Sequence, residues 1–145
     1  TTPSFDLETQ VNQTFSTEHI TPELLLQTTQ QFIGDQQQFP PVYSAIKKDG
    51  KRLYESARAG VEVDIASRTV TIYEFELTKI ELPLVYFRIV CGKGTYIRSI
   101  AQDFGKALGS GAYLKSLRRT KIGEYDVEHA ATVAEFVDWV NASHL

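Results

Sequence analysis

Apolar and polar positions alternate in several distinct rhythms along the chain, and each rhythm predicts an element. The first twenty residues are polar and rich in Thr and Gln, which predicts an extended stretch with Phe5, Leu7 and Val11 turned inward. Thr21-Pro22-Glu23 then reads as an N-cap, a proline at the first helical position and an acid facing the helix dipole. Leu24, Leu25, Thr28 and Phe32 follow at spacings of three and four, so an amphipathic helix is expected up to a stop at Gly34. Phe39-Pro40-Pro41 cannot continue it, because proline lacks the amide donor and holds the preceding residue extended.

Leu53, Tyr54 and Ala57 before Gly60 predict a short helix, and Val61, Val63 and Ile65 alternate as a strand. Residues 69–80 read as another strand, but Val70 and Ile72 share one parity while Phe75 and Leu77 share the other. A bulge near Tyr73-Glu74 would reconcile them. From Leu82 to Cys91 the alternation is regular, with Val85, Phe87, Ile89 and Cys91 on one face, which makes Cys91 a core thiol. Gly92-Lys93-Gly94-Thr95 interrupts that strand, and Ile97, Ile100, Ala101, Phe104 and Leu108 fall at helical spacing up to Gly109. A final strand pair is expected through Leu114, Leu117, Ile122 and Tyr125. Thr132-Val133-Ala134-Glu135 is a capping box opening a terminal helix whose buried stripe is Phe136, Val137 and Val140. No internal repeat and no flexible linker interrupts the series, so one compact α+β unit is predicted, a mixed, largely antiparallel sheet with flanking helices.

Length and composition agree with that reading and narrow it. The 145 residues, 42% apolar and 23% charged, suffice for one modest core. No run approaches the ~20 apolar residues of a membrane span, and the start has neither the charged nor the apolar part of a signal peptide. A cytoplasmic protein with no membrane partner is expected. A single cysteine excludes an internal disulfide, and His19, His129 and His144 lie too far apart for a local metal motif, so no metal is expected.

Charge changes the picture more. The net charge is −3, but residues 1–46 hold five acids and no base, residues 47–121 hold all 15 bases and eight acids, and residues 122–145 hold five acids and no base. A middle of +7 lies between ends of −5 each, an asymmetry that hides a polyanion-binding surface under an ordinary isoelectric point. Lys47, Lys48, Lys51 and Arg52 flank a turn at Asp49-Gly50, which predicts a cationic hairpin. Lys115, Arg118, Arg119 and Lys121 form a second cluster, where strand alternation would send Leu117 and Arg119 to one face and Arg118 to the other. Such groups position an RNA without choosing its bases, or are ordinary surface charge.

Gly92-Lys93-Gly94-Thr95-Tyr96-Ile97-Arg98 stands where a strand passes into a helix. It lacks the spacing of a Walker loop and of a dinucleotide fingerprint. Two readings remain open: a structural turn with Thr95 capping the helix, or a site in which the Tyr96 ring stacks a base and Arg98 holds an anion.

These words occur together in one known family. Phe39-Pro40-Pro41-Val42-Tyr43-Ser44-Ala45-Ile46-Lys47, Gly50-Lys51-Arg52-Leu53-Tyr54, Ala57-Arg58-Ala59-Gly60, Arg68-Thr69-Val70-Thr71-Ile72-Tyr73, Cys91-Gly92-Lys93-Gly94-Thr95-Tyr96-Ile97-Arg98-Ser99 and Leu117-Arg118-Arg119 resemble, in order and spacing over roughly residues 1–140, the TruB family of tRNA pseudouridine-55 synthases. The resemblance implies an isomerase that detaches uracil from its ribose in the tRNA T-loop, rotates it and rejoins it through carbon 5 with no cofactor. It implies that Tyr96 packs on the flipped target base and handles the carbon-5 proton. Arg98 would pair with the catalytic aspartate, and Leu117 would wall the base pocket. Tyr43, Lys47, Lys93, Arg118 and Arg119 would contact the tRNA.

One departure stands out: the family's aspartate belongs to a Gly-x-Leu-Asp motif, which does not occur here, and neither Asp49 nor Asp103 matches it. With Thr1-Thr2-Pro3 at the start and no methionine anywhere, the expectation is a C-terminal portion of the catalytic domain, without the upstream aspartate segment and without a PUA domain. Such a portion would be inactive by itself and would take the N-terminal part of the same enzyme as a partner. A non-catalytic RNA-binding module is the alternative, and an α+β interaction domain with incidental cations the third reading.

Overall fold

The computed structural model describes residues 1–43, 47–48, 51–60 and 65–143. These fall into two compact units, residues 1–115 and residues 116–145, described in turn.

In the first unit, helix α1 (Pro22–Gln31) starts as the sequence dictates: Thr21 stays extended and its hydroxyl accepts the Leu24 amide at 3.2 Å. It ends at Phe32, two residues before Gly34, which instead opens strand β1 (Gly34–Gln38). The polar Asp-Gln-Gln-Gln run carries no apolar alternation and was not expected to be a strand; it forms the edge of a sheet ordered β1-β4-β5, where β4 is Arg68–Glu81 and β5 is Leu84–Cys91. Both pairings are antiparallel. Between β1 and β4 come strands β2 (Lys47–Lys48) and β3 (Lys51–Arg52), an antiparallel pair, and helix α2 (Leu53–Arg58). The expected cationic hairpin is therefore present in the backbone. Its turn at Asp49-Gly50 lies outside the described residues, as do Val61 and Val63 of the expected strand, while Ile65 is irregular.

The parity switch in β4 is a bulge, as predicted: the register to β5 shifts between Ile72 and Glu74, so that Tyr73 and Glu74 both face solvent while Ile72 and Phe75 are buried. A second shift lies between Leu77 and Lys79. Helix α3 (Ile97–Ala107) follows β5, and α1 and α3 cover the sheet's apolar face. Ile20, Leu25, Ile72, Phe75, Ile100, Phe104 and Leu108 form the core, with Val85, Phe87, Ile89 and Cys91 packed against it. Four rings tie the layers together: Phe75 meets Phe32, Phe87 and Phe104 at centroid distances of 6.0, 5.8 and 5.2 Å, and Phe32 meets Phe104 at 5.7 Å. Each such pair contributes roughly 0.5–1.5 kcal/mol beyond its buried area.

The first twenty residues are not the extended stretch expected. Phe5 takes a positive φ of 65°, Leu7 and Val11 are exposed, and Thr2 and Ser4 are buried instead. A local polar knot explains the inversion: the Thr2 hydroxyl donates to the Asp6 carbonyl at 2.6 Å, and the Ser4 hydroxyl lies 2.7 Å from an Asp6 carboxylate oxygen and 2.8 Å from the Thr9 hydroxyl. Side chains that bond nearby backbone compete with strand pairing and turn the chain.

The second unit holds strands β6 (Lys121–Ile122) and β7 (Tyr125–Asp126), a short 3₁₀ turn at Val127–His129 and helix α4 (Val133–Ser143). The hairpin was predicted, but Leu114 and Leu117 are not part of it: residues 111–120 are irregular. The capping box is present, with the Glu135 carboxylate accepting from the Thr132 amide at 2.7 Å and its hydroxyl at 2.8 Å. The predicted burial of the α4 stripe fails. Phe136 and Val137 are exposed and Val140 is half-buried, because a two-stranded hairpin of two-residue strands offers too little surface to cover them.

Every strand pairing among the described residues is antiparallel, and helices flank the sheet, so the α+β expectation holds. No helix among the described residues is long and apolar enough to cross a membrane.

Candidate active site

The end of β5 delivers the glycine loop to the start of α3. The Gly92 amide still donates to the Thr71 carbonyl at 2.8 Å, extending the sheet by one bond before the chain turns. Gly94 makes that turn with φ +79°, a left-handed conformation that side chains disfavour, and the Arg68 guanidinium lies 3.6 Å from where a Cβ would stand. Thr95 does not cap the helix: its hydroxyl donates back to the Gly92 carbonyl at 2.8 Å, and Tyr96 is the capping residue, with no side-chain cap bond.

Tyr96 is half-buried, and one face of its ring carries the Arg68 guanidinium, 4.5 Å from the ring centroid. Arg68 also donates to the Gly94 carbonyl, so one arginine fixes both the loop and the ring. From beneath, Gln38 holds the Tyr96 main chain: its carboxamide oxygen accepts the Tyr96 amide at 2.7 Å and its nitrogen donates to the Tyr96 carbonyl at 3.0 Å.

Two residues on, Arg98 turns back over the amino-terminal knot. Its Nη1 donates to an Asp6 carboxylate oxygen at 3.1 Å and to the Ser4 carbonyl at 3.4 Å, and its Nη2 donates to the Tyr43 carbonyl at 2.8 Å. The Arg98 side chain is 21% exposed and that of Asp6 25%. Arg98 thus has a carboxylate partner within this chain, Asp6, 92 residues away in sequence, although Asp6 does not stand in the Gly-x-Leu-Asp motif expected of the catalytic aspartate. The fork is fully directed, three bonds in three directions, which a point charge could not make.

The structure thus joins Arg98 to the main chain of Tyr43 and to Asp6, while Tyr96, two residues before it in the chain, is held by Gln38 and Arg68. Lys93 is exposed within the loop beside them. Lys47 lies in β2, and its side chain is outside what is described. Leu117, Arg118 and Arg119 belong to the second unit, where all three are exposed on irregular backbone, so the strand alternation expected to separate the two arginines does not apply. Sequence reading missed Asp6, Gln38 and Arg68. Serine and threonine two and four residues before Asp6 signal its turn, and Arg68 heads one of the words quoted above, but neither feature discloses a partner so distant in sequence.

Gln38 also lines a cleft of about 420 Å³ with Phe32, Ile72, Ile100, Asp103 and Lys106. Burial pushes the Asp103 carboxyl above its ordinary pKa, opposed by Lys106, whose ammonium is 3.9 Å away. A raised folded pKa means that the contribution of Asp103 to stability is complete below its unfolded value, about 4, and is lost as pH rises through the folded value. Asp103→Asn is therefore expected to melt above the wild type at pH 7, with the gap closing near pH 3. Thermal melts across that range check it, and a gap that widens on acidification contradicts it.

The comparisons with known proteins place the chain in a family. Residues 1–97 match the TruB family pseudouridylate synthase (N terminal domain), and residues 98–144 match the tRNA pseudouridylate synthase B C-terminal domain. The chain is 60% identical over 136 residues to a tRNA pseudouridine synthase B of Flavobacterium johnsoniae, covering 94% of this chain and 59% of that protein. It is 48% identical to the protein of the same name from Phocaeicola vulgatus, covering all of this chain and 62% of that one. The chain thus spans about three-fifths of the length of these curated relatives. Among solved structures it resembles a chain in the crystal structure of a Cbf5-Nop10-Gar1 complex, with a TM-score of 0.66 and 32% identity over 83% of this chain and 32% of that one. The first match also corrects an expectation: residues 1–97 are themselves N-terminal-domain sequence, so an N-terminal part acting as an external partner is not supported. The two matches meet between Ile97 and Arg98, within the site, and together they span nearly every residue: the chain belongs to the TruB family of pseudouridylate synthases.

Proposed function

We propose that the protein carrying this chain isomerises uridine to pseudouridine in the T-loop of tRNA, at uridine 55. Family membership supports the reaction class, and the half-buried Tyr96 ring under Arg68, two residues before the Asp6-bound Arg98, supports the placement of the chemistry. In this reaction the bond from ribose C1′ to uracil N1 breaks and a bond from C1′ to C5 forms. The C5 hydrogen leaves and N1 gains a proton, so nothing is oxidised and no cofactor is required.

Flipping the target base out of its loop costs a few kcal/mol of stacking, of which an aromatic platform returns ~1–3 kcal/mol. Tyr96 supplies that platform on the ring face opposite Arg68, and its phenol is the group nearest in kind to a carrier for the C5 proton. By the family resemblance Arg98 would direct the nucleophilic aspartate of the Gly-x-Leu-Asp motif, which this sequence lacks, while Asp6 and the Tyr43 carbonyl hold the guanidinium in place. Leu117 would wall the base, and Tyr43, Lys47, Lys93, Arg118 and Arg119 would meet the tRNA.

Loss of the C5 hydrogen gives the test. The complete product of the gene, incubated with tRNA carrying 5-tritiated uridine, is expected to release tritium to water from one site, in the T-loop. Salt-sensitive tRNA binding without any release would instead favour the non-catalytic RNA-binding module. The cationic surface has its own check. Arg118→Ala and Arg119→Ala should each flatten the logarithmic dependence of tRNA affinity on salt by about one unit. Unchanged slopes would remove both arginines from the RNA-contacting set.

A further inference from the structure

We infer that Gln38 is a positioning residue for the reaction, which sets the main chain from which the Tyr96 ring projects by holding both main-chain polar groups of that residue, while Arg68 covers the ring. The inference rests on the functional reading above and adds a residue to it. The Gln38 side chain is 3% exposed, and its carboxamide forms a closed pair with one peptide residue, Tyr96 N–H to Oε1 at 2.7 Å and Nε2 to Tyr96 C=O at 3.0 Å. This is the donor and acceptor pattern one strand residue offers another, here presented by a side chain 58 positions away in sequence.

Its neighbours show that the pairing is particular. Gln36, Gln37 and Gln38 are chemically identical, yet Gln36 donates to the Gln31 carbonyl, Gln37 donates to the Thr69 hydroxyl, and of the three Gln38 is the one that is buried. Tyr96 in turn needs such a partner. It caps α3 without a side-chain bond, and its amide precedes the helix, where the intrahelical ladder offers nothing. Adjacent bonds lock the same two segments together: the Ser99 hydroxyl donates to the Phe39 carbonyl at 2.7 Å, and Arg98 donates to the Tyr43 carbonyl at 2.8 Å. Residues 38–43 therefore form a brace under the start of α3, and Gln38 is its contact with the aromatic residue itself. Since the Cα–Cβ direction follows the main chain, rotating the Tyr96 peptide swings the phenol. A displacement of about 1 Å at a reacting group is enough to lose a hundredfold in rate.

Two substitutions in the complete gene product test this. Gln38→Leu removes both bonds at similar volume. Gln38→Glu keeps the acceptor and replaces the donor by an oxygen facing the Tyr96 carbonyl, until protonation restores a donor. Three quantities are read for each: single-turnover pseudouridine formation at saturating tRNA, the tRNA Kd, and hydrogen exchange at the Tyr96 amide. Expected are a Gln38→Leu rate at least tenfold down, a Kd within about twofold of wild type, and a Tyr96 amide exchanging at least tenfold faster. Expected too is a Gln38→Glu rate that, relative to wild type, recovers as pH falls from 8 to 6. A Gln38→Leu protein with the wild-type rate, or with rate and Kd failing in proportion to a lowered melting temperature, overturns the inference, as does a Tyr96 amide whose exchange does not change. Wild-type protein that makes no pseudouridine while Gln38→Leu still frees the Tyr96 amide overturns the functional reading and leaves the clamp standing.

Discussion

Arg98→Lys is expected to lower turnover about ten- to a hundredfold while leaving tRNA affinity within a few fold. Lysine preserves the charge but not the fork: a single ammonium cannot meet Asp6, the Ser4 carbonyl and the Tyr43 carbonyl from where the two guanidinium nitrogens stand. The Arg98 and Asp6 side chains are largely buried, so water does not fully replace the lost bonds. Hydrogen bonds involving a charge are worth about 1.5–3 kcal/mol each, and losing one of them in the transition state gives one to two orders of magnitude in rate. Ground-state binding of tRNA draws mainly on exposed cations, which this substitution leaves alone. Single-turnover rates set beside filter-binding affinities separate the two. An equal loss of rate and affinity would place Arg98 on the phosphate backbone instead. Arg98→Ala should also lower the melting temperature by roughly 10 °C, since it strands Asp6 without its partner at a cost of about 3 kcal/mol.

Gly105→Ala is expected to be the most destabilising alanine substitution among the described glycines of the first unit. A glycine inside a helix ordinarily costs about 1 kcal/mol relative to alanine, so on propensity alone the substitution should stabilise α3. Packing reverses the sign. A Cβ on Gly105 would stand 2.4 Å from the Ala112 amide nitrogen and 2.6 Å from the Gly111 carbonyl carbon, and both are backbone. That backbone has nowhere to retreat: Gly111 abuts the Phe15 ring and Thr1, Ser110 donates to the Ser16 carbonyl at 2.9 Å, and the Leu114 amide donates to the Phe5 carbonyl at 2.8 Å. Overpacking of this kind costs about 1–3 kcal/mol or more, and in denaturant melts the variant should lose stability without a change in m. Stability equal to or above wild type would show that residues 111–112 yield. Because those residues lie against the knot that contains Asp6, Gly105→Ala is also expected to reduce turnover.

The elements that carry their own period were legible in the sequence. Thr21-Pro22 announced α1, the regular alternation of β5 announced its buried face, and the change of parity between Ile72 and Phe75 located a bulge to the residue. What escaped was set by partners distant in sequence. Gln36 to Gln38 form a strand because Val70 and its neighbours pair with them, and a polar run at a sheet edge needs no apolar face to do so. Phe136 and Val137 have helical spacing, yet spacing alone does not supply a surface to bury them, and here they face solvent. The site divides in the same way. Tyr96 and Arg98 stood out because a glycine loop displays them, while Asp6 and Gln38 look ordinary until the fold carries them across 92 and 58 residues. A half-buried arginine requires an acceptor for its charge, but local sequence does not specify which distant carboxylate supplies it.

A crystal structure of the complete gene product bound to a T-loop stem-loop RNA tests the account most directly. The target uridine should be turned out of its loop and stacked on the Tyr96 ring, on the face away from Arg68, with the Asp6 and Tyr43 bonds to Arg98 intact. A target base seated elsewhere, with Tyr96 and Arg98 out of its reach, would contradict it.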